Sequence, residues 1–270
     1  MVRCISEKRR GFTLIEMSVV LVILGLLVGA IVVGKNLIRT SQVRSTITEY
    51  QRYANAIATF KEKYGALPGD LATATNYWGT NPTGCPPGYD AVKRTETCNG
   101  NGDGNLSTWD WTWVDFYGQF TAWQHLADAG LIPGQFVGAS SSGVQGVTLG
   151  MNAPKARLPN SGWSFYPLAG TWMAGKTPNN VFANDYSTVL LFSSPYNASN
   201  FIQPILSGPE AYSIDKKIDD GRPGYGIVST WKNSPGVFNF TCLTNDTQTT
   251  SEYVVNVDND LRCTLIFKYD

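Results

Sequence analysis

An uninterrupted apolar segment near the start of the sequence limits the possible folds more than any other feature. No charged side chain occurs from Met17 to Val33. A helix from Phe12 to Val33 would be about 33 Å long at ~1.5 Å per residue, which is enough to cross the hydrocarbon core of a bilayer. The ten residues before Gly11 carry four basic side chains and one acidic one: Arg3, Lys8, Arg9, Arg10 and Glu7. Because positive flanks stay in the cytoplasm, the sequence predicts one membrane span with the rest of the chain on the opposite side.

A conventional secretory signal has the same order of a basic start and an apolar core. Such a signal is cleaved after small residues at the far end of its apolar region, whereas the Gly11-Phe12 junction lies before that region. We therefore expect the apolar segment to remain in the processed chain.

The six residues Gly11-Phe12-Thr13-Leu14-Ile15-Glu16 stand between the basic leader and the apolar segment. This arrangement resembles the N-terminus of type IV pilins and type II secretion pseudopilins. The resemblance implies that a prepilin peptidase cuts after Gly11, removes the cytoplasmic leader 1–11 and methylates the new N-terminal amine of Phe12. It also implies an α+β pilin fold, in which a long membrane-spanning helix packs on an antiparallel β-sheet in a globular head.

The same resemblance implies partners and a location. The partners are other pilin or pseudopilin subunits, the prepilin peptidase and an inner-membrane assembly platform. The roles of such pili include DNA uptake, although the sequence itself has no basic patch and no nucleic acid is required. Before assembly the subunit would cross the bacterial inner membrane once, with its head in the periplasm. After assembly it would lie in a pilus at the cell surface or in a periplasmic pseudopilus.

Glu16 lies at the edge of the apolar segment, where a carboxylate without a cationic partner is costly. Cleavage after Gly11 would create an ammonium group on Phe12, and a neighbouring subunit displaced along a filament would offer this charge to Glu16. In the family this pairing guides assembly. The alternative is a Glu16 side chain that extends to the lipid headgroups.

The helix is predicted to continue beyond the membrane to Tyr64, after which Gly65 and Pro68 supply stop signals. One face carries apolar side chains at spacings of three, four or seven: Val43, Ile47, Tyr50, Ala54, Ile57 and Tyr64. The other faces carry charged side chains: Lys35, Arg39, Arg44, Glu49, Arg52 and Lys61. The predicted divisions are a transmembrane and assembly half 12–34, an amphipathic half 35–64 and a head 65–270.

Three glycines are the weak points of the apolar half, which lacks the proline of the commonest pilin pattern. Gly25, Gly29 and Gly34 each lower helix stability by roughly 1 kcal/mol relative to Ala. Either they let the helix melt locally in a filament, or they permit close packing against neighbouring helices.

Cysteine usage indicates an oxidising compartment. Cys4 lies in the leader, which leaves an even number of cysteines in the rest of the chain. Proximity in the sequence favours the pairs Cys85–Cys98 and Cys242–Cys263 among three possible connectivities, and many pilins have a C-terminal disulfide. A zinc site is the alternative, but the sequence has no Cys-x-x-Cys pair and only one histidine, His125.

The segment from Gly65 to Thr108 is rich in Gly, Pro and Asn and is predicted to form a polar loop outside the core. Within it, residues 99–110 have the spacing of oxygen-bearing side chains and glycine that resembles an EF-hand-type calcium loop. The candidate ligands are Asn99, Asn101, Asp103, Asn105 and Asp110. Two of the usual acids are Asn, so the affinity would be low. Alternatively, the same residues form tight turns with positive φ.

The rest of the head is predicted to contain two helices and an antiparallel meander. The helices run from Val114 to Ala129 and from Pro209 to Gly221. The strands are Trp163 to Leu168, Ser187 to Phe192, Gly226 to Trp231, Val237 to Leu243, Glu252 to Val257 and Leu261 to Tyr269. A second, weaker calcium candidate is Asp215, Asp219 and Asp220 at the end of the second helix, by analogy with the major pseudopilins. The alternative there is a solvated acidic helix end.

The sequence indicates a structural protein, because it has no nucleophile motif with histidine, no Gly-rich phosphate loop and no His-based metal motif. Removal of the leader leaves a net charge of about −3, which gives no reason to expect nucleic acid as a partner. The resemblance favours a subunit of a type IV pilus-like filament, and the large head favours a minor or specialised one. A type II secretion pseudopilin is the alternative, and a monomeric membrane-anchored binding protein is the reading outside the family.

Overall fold

The computed structural model describes residues 11–80, 97–106, 118–138, 147–167, 181–182, 188–197, 200–232, 241–256 and 260–269. The chain forms two compact units, residues 1–42 and residues 43–270. Its elements in chain order are α1 (Leu14–Tyr64), α2 (Thr75–Trp78), α3 (Gly118–Asp128), β1 (Gly162–Pro167), β2 (Thr188–Asn197), β3 (Asn200–Gln203), α4 (Gly208–Ile218), β4 (Val228–Ser229) and β5 (Leu265–Phe267). The α+β class predicted from the sequence is confirmed.

The long helix α1 ends where the sequence predicts. Gly65 follows Tyr64 with a φ of 72°, and its N–H donates to the Lys61 carbonyl at 2.9 Å. A glycine in the left-handed region is the usual end of a helix. The helix is unbroken at Gly25, Gly29 and Gly34, and a Cβ added at any of these positions would meet no atom within 4 Å. The described chain therefore gives these glycines no packing partner of its own.

The head unit includes the second part of α1, because burial begins at Val43 and continues to Phe60. The buried face consists of Val43, Thr46, Glu49, Tyr50, Tyr53, Ala56, Ile57 and Phe60. The predicted apolar stripe is confirmed at Val43, Tyr50 and Ile57, whereas its other members are only partly buried. The prediction that Glu49 lies on another face is wrong. The Arg157 backbone N–H and the Trp163 indole N–H donate hydrogen bonds to the Glu49 carboxylate, and these bonds offset the cost of burying its charge.

The sheet is antiparallel, with the strand order β1-β2-β5-β4 and with β3 also paired to β2. The strand β2 is central, since Phe192 lies opposite Trp163 of β1 and opposite Leu265 of β5. Its side chains alternate between two buried faces, as strand geometry requires. Leu190 and Phe192 join the main core, and Val189 and Leu191 join a smaller cluster.

The main core lies between the sheet and two helices. Tyr50 of α1 stacks on Phe267 of β5 with ring centroids 4.9 Å apart, and Tyr53 meets the Trp163 ring edge to face at 5.7 Å. Trp123 of α3 contacts both Tyr53 and Phe165. Aromatic side chains bury large apolar areas, and their pairing adds to that gain. The upper part of α1 and α3 are therefore fixed against one face of the sheet.

Several predicted strands differ from those observed. β1, β2 and β5 confirm the prediction of strands in those regions, although β2 continues to Asn197 and β5 is shorter. β3 was not predicted. The prediction of a strand from Glu252 to Val257 is wrong for residues 252–256, the part that the structure describes, because only an isolated bridge joins Tyr253 to Leu243 there. The predicted meander is also wrong, since β5 lies between β2 and β4. Residues 237–240 of another predicted strand lie outside the described residues.

The two predicted head helices are present as α3 and α4, with α3 described from Gly118 onward. In α4, Ser207 and Glu210 form a capping box, with the Ser207 N–H donating to the Glu210 carboxylate at 2.9 Å. The whole stretch 120–126 of α3 is buried, including the polar Gln124 and His125. The loop around residues 97–106 covers that polar side, so the prediction that this loop lies wholly outside the core is wrong.

Candidate functional site

The predicted cleavage site lies just before α1. Gly11 and Phe12 are exposed and precede the first helical residue, Leu14. A protease needs an accessible peptide outside regular secondary structure, and Gly11 and Phe12 are both accessible and non-helical. The leader before it lies outside the described residues.

Glu16 forms a capping box with Thr13. One oxygen of the Glu16 carboxylate accepts hydrogen bonds from the Thr13 N–H and the Thr13 hydroxyl, both at 2.8 Å. In return the Glu16 N–H donates to the Thr13 hydroxyl at 3.3 Å. Such a reciprocal pair satisfies N–H groups that have no partner within the helix. Thr13 was not singled out from the sequence, although the Thr-x-x-Glu spacing is the signal that would have found it.

The apolar part of α1 has no cover within the described chain. Its large side chains from Leu14 to Ile38 are between 43% and 92% exposed. It is long and apolar enough to span a bilayer. An exposed apolar surface of this length is unstable in water, so lipid or other apolar helices must cover it.

The candidate calcium loop folds around a carboxylate from another part of the head. Asp70 accepts hydrogen bonds from three successive backbone N–H groups, those of Gly102 at 2.8 Å, Asp103 at 3.2 Å and Gly104 at 2.8 Å. Gly102 and Gly104 have φ values of 75° and 84°. Successive N–H groups that converge in this way form a concave site for an anion. Here the buried Asp70 side chain fills that site, and sequence reasoning did not identify it.

The side chains predicted as calcium ligands take part in the turns of this loop. The Asn99 amide oxygen accepts from the Thr75 N–H at 2.9 Å. The two Asp103 oxygens accept from the Asn101 amide and the Asn105 N–H, each at 2.8 Å. These are the local bonds expected of the alternative, a run of tight turns. Asp110 lies outside the described residues.

His125 ties the same loop to the core. Its Nδ1 accepts from the Gly69 N–H at 3.0 Å, so Nε2 carries the ring proton and faces the Cys98 carbonyl at 3.2 Å. Burial lowers the pKa of His125 to about 4. The ring is therefore neutral at neutral pH, and His125 is a buried residue of the core.

The second metal candidate is a compact group of carboxylates. Asp215, Asp219 and Asp220 each place an oxygen within 4.8 Å of the others. Asp215 is buried, and it accepts from the Tyr253 hydroxyl at 2.8 Å and from the Gly221 N–H at 3.1 Å. The alternative of a solvated helix end is therefore wrong for Asp215. Among the described residues, these three carboxylates are close enough together to bind one metal ion.

The electrostatics of this group disfavour three negative charges. The pKa of Asp215 is raised to about 7, chiefly by burial. The bonds from Tyr253 and Gly221 oppose this rise, and the neighbouring Asp220 and Asp219 carboxylates add to it. The group also lies at the C-terminal end of α4, where the helix dipole disfavours anions. Lys216 points to Tyr212, at 3.0 Å from its hydroxyl. A proton or a cation bound at the three carboxylates would relieve this repulsion.

Cys242 and Cys263 form a disulfide, as in the second predicted pair, with Cα atoms 5.0 Å apart. Both residues are buried. Cys98 is also disulfide-bonded, but Cys85 lies outside the described residues, so its predicted pairing with Cys98 stays a prediction.

Comparison with known families identifies the N-terminal segment. Residues 7–32 match the profile of the prokaryotic N-terminal methylation motif. The comparisons with curated proteins and with solved structures gave no match. The matched segment contains the exposed Gly11-Phe12 junction, the Thr13–Glu16 cap and all but the last two residues of the apolar half of α1. The chain thus carries, on an α+β head, the N-terminal methylation motif that is consistent with type IV pilins and pseudopilins.

Proposed function

We propose that this protein is a minor or specialised structural subunit of a type IV pilus-like filament. A prepilin peptidase removes residues 1–11 and methylates the amine of Phe12, and the subunit then joins the filament through α1. The observation that carries the proposal is the methylation motif at residues 7–32 on a helix whose apolar half has no cover within the described chain. Assembly would supply that cover, because neighbouring apolar helices replace lipid as the subunit leaves the membrane.

Glu16 supplies the electrostatic part of assembly in this proposal. Its carboxylate is held by Thr13 at the start of the helix, so the side chain is already ordered before a partner arrives. The new Phe12 ammonium of a neighbouring subunit is the group that neutralises it. A charge pair in an apolar surrounding strongly favours one register between helices, because a misplaced subunit would leave both charges without a partner.

The head fits a display role better than a catalytic one. It is large, spanning residues 65–270 in addition to the packed part of α1, and its described polar groups serve mainly to fix loops and caps. This size favours a minor or specialised subunit over a major one. A type II secretion pseudopilin is the second candidate. It shares every N-terminal feature, because those features are the same in a pilus at the cell surface and in a periplasmic pseudopilus.

The decisive experiment is mass spectrometry of the N-terminus of this protein from sheared filaments and from membranes of the same cells. A chain that starts at methylated Phe12 in sheared filaments supports the pilus subunit. The same chain found in membranes alone supports the pseudopilin. An unprocessed Met1 start in cells with an active prepilin peptidase contradicts both.

A matched pair of variants tests the role of Glu16. We expect Glu16→Ala to be inserted and cleaved normally but to be lost from filaments. Glu62→Ala, which removes an exposed carboxylate from the same helix in the head unit, should assemble normally. Normal filament incorporation of Glu16→Ala would end the proposed role.

A further inference from the structure

The loop that folds around Asp70 also carries two Asn-Gly pairs, whose chemistry the proposed function does not use. They are Asn99-Gly100 and Asn101-Gly102. In such a pair the glycine nitrogen can attack the amide carbon of the Asn side chain, because glycine has no Cβ to hinder the approach. The new C–N bond closes a succinimide ring and ammonia leaves. Water then opens the ring to aspartate or isoaspartate, so water is the only co-reactant that the reaction needs.

The contacts of the Asn101 side chain favour this attack. Its amide oxygen accepts a hydrogen bond from the Asp103 N–H at 3.3 Å, and its NH₂ group donates to the Asp103 carboxylate at 2.8 Å. A donor at the amide oxygen stabilises the negative charge that develops there when a nucleophile adds. Asn101 and Gly102 are also exposed, so water reaches them. The state of the Gly102 nitrogen therefore decides whether the ring forms.

The Gly102 nitrogen is held by Asp70. Its N–H donates to one oxygen of the Asp70 carboxylate at 2.8 Å and also to the Asp70 carbonyl at 3.1 Å. Both carboxylate oxygens act as acceptors, because the Asp103 N–H and the Gly104 N–H bond them as well, as an ionised carboxylate allows. Ring closure requires the Gly102 nitrogen to lose its proton. A hydrogen bond to an anion stabilises the N–H form instead, and it is stronger than the bond to the neutral carbonyl.

We propose that Asn101 is a site of succinimide formation and that the Asp70 carboxylate keeps it unreactive. While Asp70 holds the Gly102 N–H, Asn101 persists as an amide. When this hold is lost, Asn101 becomes aspartate or isoaspartate. Either product adds a negative charge to an exposed loop, and isoaspartate also lengthens the backbone by one methylene, which moves the N–H groups away from Asp70. Because ammonia has left, the change is irreversible.

The other pair in the loop is an internal control, because the Asp70 side chain does not hold it. The Gly100 N–H donates to the Leu71 carbonyl at 2.9 Å. The Asn99 amide oxygen accepts from the Thr75 N–H, also at 2.9 Å. Removal of the Asp70 side chain alone leaves both bonds in place. Asn99 should therefore stay an amide under conditions in which Asn101 converts.

The experiment compares the full chain with Asp70→Ala, both incubated in detergent at mildly alkaline pH. Peptide mass spectrometry after digestion measures the conversion of each Asn to its acid products. Loss of a hydrogen bond to a charged group is worth at least about tenfold in an equilibrium. We therefore expect Asn101 to convert at least about tenfold faster in Asp70→Ala, with Asn99 unchanged in both proteins. Asp70→Ala/Gly102→Ala should convert slowly again, because a Cβ hinders the attacking nitrogen.

The proposal is overturned if Asn101 converts at the same rate in the folded wild-type chain and in Asp70→Ala. It is also overturned if Asn99 and Asn101 convert together in Asp70→Ala, because the fold of the whole loop would then protect both amides. The wild-type chain unfolded in urea tests the reactivity itself, and an Asn101 that stays unconverted there would not be a site of succinimide formation. None of these measurements depends on processing or assembly, so their outcome leaves the proposed function unaffected.

Discussion

Replacing Glu49 by Gln should lower the free energy of unfolding of the head by ~2 kcal/mol. The Glu49 carboxylate accepts hydrogen bonds from the backbone N–H of Arg157 at 3.0 Å and from the indole N–H of Trp163 at 2.8 Å. Gln has the same shape but one acceptor oxygen, so its amide NH₂ group must face one of the two donors. A lost hydrogen bond to a charged group costs about 1.5–3 kcal/mol. The lower cost of burying a neutral amide offsets part of this loss.

The measurement is equilibrium unfolding of the full chain by urea in detergent, followed by tryptophan fluorescence. Glu62→Gln is the matched control, because Glu62 is exposed on the same helix, and we expect its effect to stay within about 0.5 kcal/mol. Trp163→Phe removes the indole donor, so in the double variant the amide introduced by Glu49→Gln can turn its oxygen to the Arg157 N–H. The double variant should therefore be at least ~1 kcal/mol more stable than the sum of the two single effects predicts. Equal effects of Glu49→Gln and Glu62→Gln, or strict additivity, would refute this reasoning.

Three further predictions concern the head. The pKa of Asp215 is raised to about 7, mainly by burial, whereas the unfolded chain releases this proton near pH 4. The protonated Asp215 therefore contributes to the free energy of unfolding. That contribution is complete below pH ~4 and is lost as the pH rises to ~7. Asp215→Asn should flatten the stability profile over that range, as measured by urea unfolding at several pH values, and an unchanged profile would contradict the assignment. Gly100→Ala should destabilise by ~1–3 kcal/mol, because its Cβ would lie 2.3 Å from the Asp70 backbone, and a thermal melt equal to wild type would disprove the close approach. Millimolar calcium should raise the melting temperature by binding to the carboxylates of Asp215, Asp219 and Asp220. Asp219→Ala should therefore abolish the rise, and Asp103→Ala should retain it. The reverse pattern would assign calcium to the loop, and no rise in the wild-type protein would exclude both sites at that concentration.

The N-terminal segment could be predicted because its signals are local. The basic start, the Gly11-Phe12 pair and the apolar run lie within about 35 consecutive residues, and the end of α1 follows from Gly65. The same locality explains α4, where Ser207 and Glu210 form the cap that the predicted helix start requires.

Glu49 shows why the packed face of α1 could not be predicted fully. A charged residue among helix positions normally faces water, and nothing near Glu49 in the sequence indicates otherwise. Its two donors, Arg157 and Trp163, are 108 and 114 positions away. Only the folded sheet brings them to the helix.

The candidate calcium loop was ambiguous for a different reason. Alternating Asn, Asp and Gly residues suit both a cation loop and tight turns with positive φ. Neither prediction included Asp70, which lies about 30 positions before the loop and accepts hydrogen bonds from three of its N–H groups. The segment around Tyr253 has the residue pattern of a strand but forms none beyond one bridge. The Tyr253 ring is buried, and its hydroxyl donates a hydrogen bond to Asp215, which is 38 positions away.

The position of β5 between β2 and β4 has a consequence for how the head folds. The pairing of β2 with β5 joins residues more than 70 positions apart, and such distant contacts form slowly because a long loop must close first. Until β5 arrives, β2 has an open edge that can pair with another chain and aggregate. Cys263 lies two residues before β5, so the disulfide bond to Cys242 restricts the conformations that the chain samples before β5 pairs with β2. Reducing conditions should therefore lower the yield of refolded head through aggregation, even where the finished fold tolerates loss of the bond.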